Sequence, residues 1–193
     1  MSNESVVRLL HLSWEEVQRL AEKVAEKVRA SGFRPDVVVA ISRGGFDPAR
    51  ILCDQLAIQR LASLQVEYYT GVDQRRGAPE IIFPLNSDVP ELKVLVVDDI
   101  SDSGHSLKAS KDHVLERGAS EVRVATLHVK PWSNFRPHYY AEEVEAWVVY
   151  PWEPWETLRW MAERFRGEGL DPTEVRRRLI KNGFDPDLVE RLF

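Results

Sequence analysis

The stretch Val94-Leu95-Val96-Val97-Asp98-Asp99-Ile100-Ser101-Asp102-Ser103-Gly104-His105-Ser106 carries the densest set of groups able to do chemistry. A run of apolar residues delivers two adjacent carboxylates to the end of a strand. A Ser/Gly-rich turn follows and opens a helix. Such a turn presents backbone N–H groups at the positive end of the helix dipole, which suits a phosphate. Ser103 and Ser106 add hydroxyl donors, and Gly104 lets the backbone come close. Asp98 and Asp99 repel a phosphate and suit hydroxyls, a metal ion, or both. An acid pair beside a phosphate loop therefore describes a site for a sugar phosphate whose ring hydroxyls face the carboxylates. The plainer alternative is that Asp102 N-caps the helix and the acid pair is a solvated strand end. Neither a G-x-x-x-x-G-K-[ST] loop nor a G-x-G-x-x-G fingerprint occurs.

Two further groups bear on that site. Ser42-Arg43-Gly44-Gly45 follows an apolar run, and an arginine beside two glycines at a sheet edge suits an anion. Lys130 closes another apolar run. A strand-end lysine is ordinarily a solvated charge. In a site, however, an ammonium has only donors, so it suits an oxo group and mismatches an amine. Trp147, Trp152, Trp155 and Trp160 read as core or covering aromatics. His11, His113, His128 and His138 lack the spacing of a metal motif, and Cys53 reads as buried and inert.

The elements that must position these groups are legible in outline. Ser13 and Glu16 form a capping box ahead of Val17, Leu20, Val24 and Val28 at helical spacing, and Ser31-Gly32 stops the run. Val37–Ile41 is a continuous apolar segment, as in a strand buried on both faces. Asp47-Pro48 has the start pattern of a second helix, expected to run to about Ser63. Strands are expected at Gln65–Tyr69, Ile81–Phe83, Lys93–Val97, Val122–Val129 and Val144–Val149, with Asp98–Ser103 a loop. Helices are expected over His105–Arg117 and Glu156–Phe165. The polar stretch Gly71–Pro79, with Arg75 and Arg76, reads as an exposed loop. Asp171-Pro172 and Asp185-Pro186 open two short helices. Strands alternating with helices give an α/β fold with a mostly parallel open sheet covered on both faces. In such sheets ligands bind at the carboxyl ends of the strands. We divide the chain into a main domain with a small hood, residues 1–166, and a C-terminal helical extension, residues 167–193.

Composition narrows the function. The 193 residues hold 26 Lys and Arg against 31 Asp and Glu, a net charge of −5, which argues against nucleic acid as the main partner. With 44% hydrophobic residues the chain can build a core. Its apolar runs fall short of the roughly 18–20 residues of a membrane helix. A signal-peptide core is not evident in the first residues. The single cysteine precludes an internal disulfide, so the cytoplasm is the expected compartment.

Val94–Ser106 resembles the phosphoribosyl-pyrophosphate motif of the type I phosphoribosyltransferases throughout, with serine where Thr is commoner at 103 and 106, and histidine at 105. The resemblance covers about residues 10–160. The string from Lys130-Pro131-Trp132 to Tyr150-Pro151-Trp152-Glu153 is similar to the archaeal xanthine–guanine branch. It implies that Asp98 and Asp99 bind the ribose hydroxyls, and that Asp102–Ser106, His105 included, hold the 5′-phosphate. It further implies that Ser42, Arg43 and Gly44 receive pyrophosphate, with the Ser42–Arg43 peptide cis. Purine contacts would come from Ile100, Lys130 to O6, Trp147 by stacking, and the Val148 carbonyl. Asp102 would carry proton transfer at purine N7. Mg²⁺ is implied, near Asp98, Asp99 and Glu153. Tyr69 and the 71–79 loop would cover the site, and a homodimer is the usual assembly. The implied reaction joins a 6-oxopurine (guanine, xanthine or hypoxanthine) to phosphoribosyl pyrophosphate, giving a nucleoside monophosphate and pyrophosphate.

Three rivals stand beside it. One is a relative acting on adenine or a pyrimidine, against which Lys130 and Trp147 speak. Another is a non-catalytic regulator that senses nucleotides, supported by Arg176, Arg177, Arg178 and Lys181 in the tail. The third, a phosphoacceptor domain using Asp98 and Asp99, leaves the Ser/Gly loop unexplained.

Overall fold

The computed structural model describes residues 8–68 and 79–193. In chain order the elements are β1 (Leu9–His11), α1 (Trp14–Ala30), β2 (Val37–Ser42), α2 (Phe46–Gln55), β3 (Leu61–Tyr68) and β4 (Pro79–Phe83). There follow β5 (Lys93–Ser101), α3 (His105–Glu116), β6 (Glu121–Val129), β7 (Tyr139–Glu143) and β8 (Trp147–Val149). Three helices close the chain: α4 (Pro154–Gly167), α5 (Pro172–Lys181) and α6 (Pro186–Glu190). Two compact units result, Val17–Glu145 and the residues up to Glu16 together with Ala146–Phe193.

The larger unit is built on a six-stranded sheet in the order β4-β3-β2-β5-β6-β7, parallel except for β4. β2 and β5 lie at its centre, in register from Val37 opposite Val94. Successive residues of these strands feed opposite faces. Val37, Val39, Val94 and Val96 pack with Leu107 and Val114 of α3. Val38, Ala40, Leu95 and Val97 pack with Val24 and Val28 of α1 and with Ala49 and Leu52 of α2. Both faces are thus covered by helices, which is why these strands show no polar alternation.

Some expected boundaries moved. The second helix ends at Gln55 and not near Ser63, because Ala57 turns left-handed (φ 57°) and Ile58 N–H closes on the Cys53 carbonyl. The same helix starts at Phe46 behind Gly45, so Asp47 lies in its first turn and is not the N-cap. β5 runs through Asp98–Ser101, expected as loop, because β6 pairs with it as far as Ser101 opposite Val129. A strand expected over Val144–Val149 is confined to Trp147–Val149, and Tyr139–Glu143 forms a separate edge strand. Residues 69–78, which include Tyr69 and nearly all of the expected covering loop with Arg75 and Arg76, lie outside the described residues.

In the smaller unit β1 pairs with β8 in parallel. The capping box forms: Ser13 N–H donates to Glu16 Oε2 (2.7 Å) and Glu16 N–H to Ser13 Oγ (3.2 Å). Asp171 and Asp185 cap α5 and α6 by accepting from backbone N–H groups in their first turns. Val149, Leu158, Met161, Val175, Leu179 and Val189 share one buried cluster, so the C-terminal helices pack on α4. Among the described residues no helix is long and apolar enough to cross a membrane.

Candidate active site

Three strand ends of the larger unit converge on one edge. β2 exits into Ser42–Gly45, β5 into Ser101–Gly104, and β6 into Lys130. Because β2, β5 and β6 are parallel neighbours, all three exits lie at the carboxyl edge of the sheet.

At the β5 exit, Asp98 is half-buried and Asp99 is buried. Each carboxylate turns one oxygen onto the chain: Asp99 N–H donates to Asp98 Oδ1 (3.0 Å) and Ile100 N–H to Asp99 Oδ1 (2.7 Å). The β2 exit presses against this pair. A Cβ placed on Gly44 would lie 2.2 Å from Asp99 Oδ2, so only glycine admits the carboxylate there. The Ser42–Arg43 peptide bond is cis, and Arg43 is exposed beside it.

The turn beyond the acid pair ends at Gly104, which takes φ 84° and begins α3 without a side-chain cap. Asp102 therefore does not cap the helix. Ser103 is exposed, whereas His105 and Ser106 are half-buried in the first turn. This turn rests on the segment after Lys130. Asn134 N–H donates to the Ser103 carbonyl (3.0 Å), Lys130 N–H to the Ser101 carbonyl (2.9 Å), and Ser101 Oγ meets Ser133 Oγ at 2.8 Å. A Cβ on Gly104 would strike Phe135 at 2.6 Å. The arrangement presents the start of a twelve-residue helix, with its dipole, on a turn held from behind.

Lys130 is 7% exposed. Its ammonium donates to the Glu145 carbonyl (3.3 Å) and lies 5.3 Å above the Trp132 ring. Burial pushes its pKa below that of a free lysine, while the Asp102 carboxylate pulls it back up. The carboxylate of Asp102 has a partner that sequence reasoning missed: Trp132 Nε1–H donates to its Oδ1 at 2.9 Å. Ile100 is half-buried, opposite His128 in register.

Among the described residues no group of three or more His, Cys, Asp or Glu could cage a metal. Two carboxylates side by side are the donor set of an ion that takes one or two protein ligands and completes its shell with substrate oxygens, as Mg²⁺ does.

The structure brings together the predicted residues of the larger unit: Ser42, Arg43 and Gly44, Asp98 to Ser106, and Lys130. Trp147, Val148 and Glu153 belong to the smaller unit. There Trp147 lies on β8 in register with Leu9, and its indole stacks on Trp160 (4.7 Å between centroids, 5° between planes). Val148 is buried and Glu153 half-buried at the start of α4. In the tail, Arg177 and Arg178 pair with Glu174 at 2.7 and 3.0 Å, and Arg176 lies 3.6 Å from Glu190. Carboxylates of the same helical tail thus lie against the three arginines of this basic run.

Residues 11–156 match the phosphoribosyl transferase domain family. A xanthine-guanine phosphoribosyltransferase of Ruegeria sp. is 30% identical over 156 residues, spanning 74% of this chain and 84% of the relative. The crystal structure of a purine phosphoribosyltransferase from Pyrococcus horikoshii superposes with a TM-score of 0.67 at 36% identity, over 75% of this chain and 93% of that one. A Neisseria gonorrhoeae protein solved with bound ppGpp gives 0.68 at 26% identity, over 78% and 92%.

Proposed function

The chain belongs to the type I phosphoribosyltransferase family, and from that premise we propose that it transfers the 5-phosphoribosyl group of phosphoribosyl pyrophosphate to a 6-oxopurine: guanine, xanthine or hypoxanthine. The observation that carries this reading is the buried Lys130 ammonium, which lies against Trp132 as the Asp102 carboxylate does, at the strand exits that hold the acid pair and the phosphate turn. A donor-only group at that place pairs with a purine oxo group. An exocyclic amine there sets donor against donor, a mismatch that costs about 1–3 kcal/mol.

In this reading the first amides of α3 and the hydroxyls of Ser103 and Ser106 bind the 5′-phosphate. Asp98 and Asp99 accept from the ribose hydroxyls. Arg43 and the 42–44 turn receive the pyrophosphate. The family resemblance assigns stacking on a purine to Trp147 and contact with its 2-substituent to the Val148 carbonyl, both in the smaller unit. The base nitrogen N9 bonds to C1′ as the C1′–oxygen bond to pyrophosphate breaks, and that electron pair leaves with the pyrophosphate. The proton released from purine N7 passes to the Asp102 carboxylate. Asp98 and Asp99 would hold Mg²⁺, which would supply Lewis-acid stabilisation of the departing pyrophosphate charge. Most of the acceleration comes from positioning and from donors already aimed at that charge. Homodimeric assembly and a cytoplasmic location belong to the same proposal, resting on the family resemblance and the lone cysteine.

The ppGpp-bound relative favours a second reading, in which the fold senses a guanine nucleotide without turnover. The presence of Asp102 and a buried Lys130 at neighbouring strand exits favours catalysis. One experiment separates them: incubate the protein with phosphoribosyl pyrophosphate, Mg²⁺ and each of guanine, xanthine, hypoxanthine and adenine, and identify products by mass. Oxopurine monophosphates are expected. Preference for adenine overturns the base assignment, and nucleotide binding with no product from any base supports the sensor.

A further inference from the structure

Trp132 touches both groups assigned to the base. Its Nε1–H donates to Asp102 Oδ1 at 2.9 Å, and the Lys130 ammonium lies 5.3 Å over its ring. The indole is otherwise costly to display, being 55% exposed. An exposed tryptophan side chain has many rotamers and little reason to settle on one. This one is carried by a segment tied to the phosphate turn at several points: Lys130 N–H to the Ser101 carbonyl, Asn134 N–H to the Ser103 carbonyl, and Ser133 Oγ to Ser101 Oγ. Backbone that is fixed relative to residues 101–103 fixes the indole relative to Asp102. Asp102 itself stands exposed on a bend, and its carboxylate makes no cap on α3.

We propose that Trp132 is a positioning residue that holds the Asp102 carboxylate by its Oδ1, leaving Oδ2 to take the proton from the base. The proposal rests on the reading of Asp102 as the proton acceptor. A carboxylate with one oxygen anchored samples fewer rotamers, and proton transfer needs the acceptor within hydrogen-bond reach of the proton. Proton transfer of this kind contributes about 10²–10⁴-fold, and loosening its acceptor forfeits a part of that.

The test is a double-mutant cycle of Trp132→Phe and Asp102→Asn, reading kcat and KM for guanine and for phosphoribosyl pyrophosphate. Phe keeps an aromatic ring and removes the pyrrole half of the indole with its N–H, and the cycle with Asp102→Asn separates loss of that donor from loss of ring area. Trp132→Phe alone is expected to lower kcat about tenfold with KM for the sugar donor unchanged. In the Asp102→Asn background, where proton acceptance is already gone, it is expected to change kcat less than twofold. Unfolding temperatures of the four proteins confirm that the fold is retained. An equal loss in both backgrounds overturns the proposal, because Trp132 then acts independently of Asp102. So does an unchanged kcat with a lower KM for guanine, which would make the indole a placeholder that the base must displace. If Asp102→Asn alone retains the full rate, the underlying assignment of Asp102 fails and the positioning role falls with it.

Discussion

Gly44→Ala should disable the site through Asp99 without replacing any charged group. The added Cβ would stand 2.2 Å from Asp99 Oδ2, 2.6 Å from Cγ and 2.9 Å from Oδ1. The carboxylate must retreat by about 1 Å to relieve this, and a displacement of that size costs about 100-fold in a site that depends on alignment. It cannot retreat freely, because Oδ1 accepts from Ile100 N–H at 2.7 Å and the residue is buried. We expect kcat/KM for phosphoribosyl pyrophosphate to fall by about 100-fold, and calorimetric affinity for the sugar donor to weaken in parallel. Gly167→Ala is the control: a Cβ there meets nothing within 4 Å, and turnover should match the unmodified enzyme. Sugar-donor affinity within about threefold of normal in a folded Gly44→Ala protein refutes the reasoning, since Asp99 would then not hold the ribose.

Lys130→Ala should shrink the preference for guanine over adenine by about 5–150-fold, the equivalent of one mismatched hydrogen bond; competitive assays read it directly. Asp102→Asn should lower kcat by about 100-fold or more with little change in sugar-donor binding, checked by single-turnover kinetics beside calorimetry. His128 adds a pH dependence of stability. Burial holds its pKa near 4, below the ordinary 6.5; Lys130 lowers it too, and Glu142 opposes them. The unfolded chain therefore takes up the proton first, so the contribution is complete above pH 6.5 and is lost as pH falls to 4, about 3 kcal/mol in all. Denaturation between pH 7 and 4 should show this slope, and His128→Gln should flatten it. Chelation of divalent ions should abolish turnover, and added Mg²⁺ should restore it.

The sequence displayed the chemistry of this protein more plainly than the limits of its elements. Apolar strands ending in paired acids, followed by Ser, Gly and a helix, can be read because each residue type there has one local use. Strand ends are set by partners. β5 continues through Asp98–Ser101 because β6 supplies hydrogen bonds as far as Ser101, and polar composition does not reveal a neighbour. Likewise α2 stops at Gln55 because Ala57 adopts a left-handed turn with no glycine or proline to announce it. β7 was hidden by its edge position and half-polar pattern, Tyr139–Glu143. At the site, the contacts of Gly44 with Asp99 and of Trp132 with Asp102 join residues from separate strand exits, so neither has a local sequence signal. The basic tail shows the reverse case. Arg176–Arg178 read as a charged run, yet Glu168, Glu174 and Glu190 lie against them.

A crystal structure of the protein soaked with phosphoribosyl pyrophosphate and Mg²⁺ tests the central assignment most directly. The account predicts the 5′-phosphate against the backbone amides of residues 102–106, with both ribose hydroxyls toward Asp98 and Asp99. Sugar density anywhere else, or a ribose turned away from the two carboxylates, contradicts it.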